Sequence, residues 1–166
     1  MRSSRSIAQA PQPLYESDYY GWLQEQVRAL RAGDVEHIDF ENVAEELDGL
    51  SQSVQRELES RLELIFSHLL KMVYQPEKRT PSWENTIDEQ RARVSRLLRK
   101  NPSLKSVLDE SLQTAYDDGR RSAGNDMGLV PREWRRMFPE KCPWSKAEVL
   151  NSSFLPKNPS KNRARA

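Results

Sequence analysis

The chain has 166 residues, 26 Lys and Arg against 25 Asp and Glu, only six Gly and a single Cys, and its mean hydropathy is −0.85. That length suits one ordinary domain with its own core, and the composition is that of a charged helical protein, which argues against a sandwich or a barrel. Cys142 has no second cysteine to pair with and no Cys/His cluster shows zinc-ligand spacing, so the expectation is a reducing, cytoplasmic setting with no metal and no cofactor.

Residues 1–13 and 157–166 are Ser, Arg, Gln, Pro, Lys and Asn with almost nothing to bury, and both are expected to be disordered tails, the second one basic. Residues 7–11 are too short and polar for the apolar region of a signal peptide. A first helix is predicted from a Ser17 cap to Gly33, with Tyr19, Leu23, Val27 and Leu30 as its buried stripe. From a second cap at Asp39, apolar residues step by three or four: Val43, Leu47, Leu50, Val54, Leu58, Leu62, Ile65, Leu69 and Met72. This predicts one long helix, with Gly49 a place for a bend. Its second half adds Leu64, Phe66, Leu70 and Val73 and so becomes the surrounded, central element. The stretch 62–74 is interrupted by Glu63, His68 and Lys71 and is shorter than the ~20 residues a membrane span needs.

Pro76 ends that helix, and Pro81 suits the first turn of the next, capped by Thr80, with Trp83, Ile87, Val94, Leu97 and Leu98 inward. Asn101-Pro102 predicts a tight turn in which Asn101 caps a further helix that buries Leu104, Leu108, Ala115 and Tyr116. Gly119, Gly124 and Gly128 weaken its far end; short helices at 131–138 and 145–150 complete the chain. The predicted fold is all-α: a single helical domain over 14–156, a bundle of about four main helices with a long central one and an irregular C-terminal segment.

Several phrases then carry a likeness: His68-Leu69-Leu70-Lys71 followed by 75–79 (Gln-Pro-Glu-Lys-Arg), Ser82-Trp83, Pro102-Ser103-Leu104, Phe138-Pro139 and Cys142-Pro143, with Trp22 before them and Phe154-Leu155-Pro156 after. Taken in order from Tyr15 to Pro156, the chain resembles domain-of-unknown-function family twenty-nine. The resemblance implies a compact, mainly helical bacterial protein and brings no activity, cofactor or catalytic residue with it. Met72-Val73 departs from the family pattern, a Trp followed by a polar residue, which bears on local packing alone.

Four constellations are candidates for chemistry. His68 lies in the most apolar segment, three residues before Lys71 on the same helical side, and an imidazole beside an amine there can act as a base; the plainer reading is a hydrogen-bonded core histidine and a snorkelling lysine. Glu41, Glu45, Glu46, Asp48, Glu57, Glu59 and Glu63 make the long helix acidic, but no Glu-x-x-His motif accompanies them, so a solvated face is expected in place of a dimetal centre. Arg93, Arg96 and Lys100 form a basic stripe able to track phosphates, with Lys157, Lys161, Arg163 and Arg165 as helpers, although Glu89 stands at pairing distance from Arg93 and no aromatic interleaves. Trp22 and Trp83 are expected to pack internally, while Trp134 and Trp144, in the proline-rich end, are the better anchors for a protein partner. Cys142 beside Lys141 is read as packing. The leading expectation is a non-catalytic protein that binds another protein or itself; nucleic-acid binding and an enzyme built on His68 and Lys71 are the alternatives.

Overall fold

A computed structural model describes residues 14–157, and among them there are seven α-helices, three short 3-10 turns and no strand. Of the expected tails, 1–13 and 157–166, all but Lys157 lies outside the described residues, Lys161, Arg163 and Arg165 included. Within the span read from the sequence as one helical domain, the chain forms two compact units, with the boundary between Gln52 and Ser53.

The first unit contains α1 (Leu14–Ser17), α2 (Tyr19–Ala32) and the opening turns of α3 (Phe40–Tyr74). Asp18, not Ser17, caps α2: its carboxylate accepts the Gly21 amide at 2.9 Å. Gly33 exits α2 with φ of +68°, a left-handed turn that sends the Asp34 amide back to the Ala29 carbonyl at 3.0 Å. Asp39 caps α3 as expected, accepting from the Asn42 amide at 3.2 Å. The predicted stripe of α2 is corrected by the structure. Trp22, Gln26 and Ala29 are the buried residues, whereas Tyr19, Val27 and Leu30 are exposed.

The second unit is built on the rest of α3, whose Leu58, Leu62, Ile65, Phe66, Leu69, Leu70 and Met72 are buried, the central element the pattern predicted. Around them pack Ile87 and Val94 of α4 (Pro81–Lys100), Ala115, Tyr116 and Ala123 of α5 (Leu108–Asp126), Trp134 of α6 (Pro131–Met137) and Val149 of α7 (Lys146–Leu150). Leu64, expected inside, is 41% exposed. Pro81 starts α4, but the Thr80 side chain makes no capping bond. Asn101 serves the other helix: its side-chain amide donates to the Leu97 carbonyl at 3.1 Å, closing α4, while a 3-10 turn (Pro102–Ser106) separates it from α5. Ser145 and Glu148 form a reciprocal capping box on α7.

α5 runs past Gly119 and Gly124 to Asp126, and both glycines permit close approach. A Cβ on Gly119 would lie 2.7 Å from the Phe66 Cβ, and one on Gly124 would lie 2.5 Å from the Trp134 ring. The C-terminal segment is locked by Arg91, buried in α4, which donates to the carbonyls of Val149 (2.8 Å), Phe154 (2.8 Å) and Glu148 (3.4 Å).

Candidate functional site

The contact of α1 and α2 with the start of α3 is polar and aromatic. Tyr15 and Tyr19 donate hydroxyl hydrogen bonds to the two carboxylate oxygens of Glu46 at 2.8 and 2.7 Å, and Trp22 donates its indole N–H to Asp39 at 3.2 Å. Gln26 accepts the Asp39 amide at 2.8 Å. The three rings pack on one another, Tyr15 edge-on to Trp22 with centroids 4.7 Å apart. Acceptance of these hydroxyls, first from Tyr19 and then from Tyr15, holds the Glu46 carboxyl below its ordinary range, and the same bond pushes the Tyr15 hydroxyl up to about 12.

With α2 and α3 engaged through these residues, a second apolar stripe on each is largely exposed, with Leu23, Val43 and Val54 half-buried. On α2, Tyr20, Leu23, Val27 and Leu30 recur at alternating intervals of three and four; on α3, Phe40, Val43, Leu47, Leu50 and Val54 do the same. Such spacing forms the seam by which a helix meets a partner helix. Here most of the seam meets water: Tyr20 is 72% exposed, Phe40 60%, Leu47 60% and Leu50 64%. Eight of the eleven exposed large hydrophobic side chains among the described residues fall before Ser53, so the apolar surface is concentrated and not scattered. On a different face of α3, well round the helix from the seam, Glu41, Glu45 and Asp48 form an acidic stripe, also exposed. Residues 1–52 hold ten Asp and Glu against four Arg, whereas 53–166 hold twenty-two Lys and Arg against fifteen Asp and Glu.

The second unit carries the candidates read from the sequence. His68 is half-buried; its Nδ1 lies 2.8 Å from the Leu64 carbonyl, which only accepts, so Nδ1 bears the proton and Nε2 the lone pair. Burial lowers the imidazole pKa, and the nearby Lys71 lowers it further, while the Leu64 bond and Asp126 act in the other direction. Lys71 is buried, ion-paired with Asp126 at 2.6 Å and seated over the Trp83 ring at 5.3 Å. The structure thus brings His68, Lys71, Trp83 and Asp126 together, each with a packing or hydrogen-bond partner. Trp134 is buried against Gly124, with the guanidinium groups of Arg120 and Arg135 at 5.5 and 5.1 Å from its ring. Trp144 is half-buried and, with Tyr74, Pro143 and Phe154, lines a groove of about 490 Å³. Cys142 donates to the Trp144 carbonyl at 3.3 Å, and burial pushes its thiol up, away from a reactive thiolate.

Arg93 pairs with Glu89 one turn away on its own helix. Arg96, Arg99 and Lys100 are exposed. Arg99 and Lys105 edge a second groove, of about 470 Å³, whose apolar lining is Val94, Leu98, Pro102 and Leu150. Neither this groove nor the outward seams of α2 and α3 were read from the sequence. The signal for the seams was present in α2, which carries two apolar stripes one residue out of phase, only one of them furnished with Trp and Gln to meet the polar groups of α3.

Among the described residues no group of three or more His, Cys, Asp or Glu side chains is arranged to hold a metal ion, and no helix is long and apolar enough to cross a membrane. The family described as domain of unknown function DUF29 matches residues 14–155. The chain belongs to that family. The match reaches into both units and takes in the phrases that carried the resemblance, except the final Pro156. No curated protein and no solved structure matches the chain.

Proposed function

We propose that this DUF29 protein is a non-catalytic interaction protein of the cytoplasm whose recognition element is the N-terminal helical hairpin, α2 with the first turns of α3. The observation that supports it is the reversed packing of that hairpin: Trp22 and Gln26 bond to Asp39, and Tyr15 and Tyr19 bond to Glu46, while Leu30, Leu47 and Leu50 stand in water. Full burial of a Leu side chain is worth about 1.5–3 kcal/mol, so a partner that covers this seam gains from each one. Heptad spacing on both helices makes a helical partner surface the natural complement.

The test is recovery of tagged wild-type protein and of the Leu47→Gln, Leu50→Gln double variant from the same host, with everything retained identified by mass spectrometry. The reading predicts that a protein, another copy of the chain included, is recovered with wild type and lost with the variant. Identical recoveries from two equally folded proteins overturn it.

A further inference from the structure

We infer that the groove formed by the C-terminal half of α4, the Pro102–Ser106 turn and α7 binds a small amphiphilic anion, a molecule with a carboxylate or phosphate head on an apolar body. This goes beyond the interaction reading above, because every residue of the groove belongs to the second unit. Three cations line it, Arg91, Arg99 and Lys105, and no carboxylate does. Val94, Leu98 and Leu150 give it an apolar wall. Its volume of about 470 Å³ and its mixture of apolar surface with a few charged groups are those of a small-molecule cleft.

The positive charge of this groove has no counter-charge. Arg91 is only 4% exposed, and its three hydrogen bonds go to the neutral carbonyls of Val149, Phe154 and Glu148. Among the described residues it forms no ion pair, and neither does Arg99 or Lys105. Other cations of the same unit are matched: Arg61 with Glu57, Arg93 with Glu89 and Lys146 with Asp109. A guanidinium has five N–H donors, so the three bonds leave two of Arg91's unspent. A buried cation held by neutral groups alone carries a desolvation cost that an anion brought beside it offsets. The surrounding field acts in the same direction, since residues 53–166 hold twenty-two Lys and Arg against fifteen Asp and Glu, an excess of seven. A neutral apolar ligand would leave these cations unanswered, and a bare anion would leave the apolar wall in water. One molecule that carries both chemistries answers both.

Calorimetric titration of the intact chain at low salt with octanoate, octyl phosphate, octanol and acetate tests this. One or both of the octyl anions is expected to bind one to one, the tighter of them naming the head group. Octanol and acetate, each lacking one of the two matches, are expected to bind at least about tenfold more weakly. Arg99→Gln with Lys105→Gln changes two exposed positions and is expected to weaken the bound anion at least about tenfold, with the fold unchanged by circular dichroism. The Leu47→Gln, Leu50→Gln protein, altered in the other unit, is expected to bind it as wild type does. Failure of both octyl anions to bind overturns the inference, and so does octanol binding as tightly as they do. Full-strength binding by the folded Arg99→Gln, Lys105→Gln protein also overturns it, because the anion then sits elsewhere. None of these outcomes moves the hairpin reading, which stands or falls on recovery of a partner by the seam variant.

Discussion

Gly119 and Gly124 are where α5 touches its neighbours most closely, and each is expected to reject the smallest possible addition. Gly119→Ala would set a methyl group 2.7 Å from the Phe66 Cβ, between backbone atoms of α3 at 3.1 and 3.2 Å. Overpacking of this kind costs about 1–3 kcal/mol, more than the helix propensity gained, so chemical denaturation should show Gly119→Ala destabilised. At the same scale, His68 makes stability depend on pH. Its folded pKa lies below the ordinary imidazole value of about 6.5, so the unfolded chain takes up a proton first as the pH falls. Stability contributed by the neutral ring is therefore complete above that value and is lost as the pH falls from it towards the folded pKa. Melting temperatures of wild type should drop more steeply between about pH 7 and pH 5 than those of His68→Gln; parallel slopes would show that His68 does not carry the effect.

Along α3, one unbroken apolar period serves two environments. Leu62→Ala, which empties a site with no solvent exposure, should cost about 2–5 kcal/mol. Leu50→Gln, twelve residues earlier on the same stripe, should change the stability of the isolated chain by no more than about 0.5 kcal/mol. This contrast also marks how far the fold could be read in advance. The helix, its Asp39 cap, its end before Pro76 and its buried second half all follow from spacing and from residue types with one meaning. The outward turn of Leu47 and Leu50 does not, because periodicity reports that a face is apolar and is silent on which surface meets it. α2 shows the same ambiguity: Val27 and Leu30 fit a buried stripe as well as Trp22 and Ala29 do, and the choice rests on the carboxylates of Asp39 and Glu46 that meet the other face. The 3-10 turn at Pro102–Ser106 was hidden for a different reason, since Asn101 suits a helix start and a helix end equally. Of the candidate sites, the meeting of Lys71 with Asp126, 55 residues away, was beyond any local pattern, whereas the Arg93–Glu89 pair was legible at once.

Over the whole molecule, the C-terminal segment, whose Val149 joins the core, takes three hydrogen bonds from a single side chain in α4. Arg91→Met keeps the bulk of that side chain and removes its donors to Val149, Phe154 and Glu148. Hydrogen bonds to a charged group are worth about 1.5–3 kcal/mol, so the variant should expose residues beyond α7 to limited proteolysis well before the core is cut. Equal cleavage rates in the two proteins would place the anchor of that segment elsewhere. The clamp also sets an order of events during synthesis. Arg91 leaves the ribosome 58 residues ahead of Val149 and 63 ahead of Phe154. Since chains fold from the N-terminal side as they emerge, α3, α4 and α5 can assemble while the guanidinium is still hydrated. Its acceptors arrive among the last of the core contacts, so a chain cut before Glu148 leaves this guanidinium without the three carbonyls that take its hydrogen bonds.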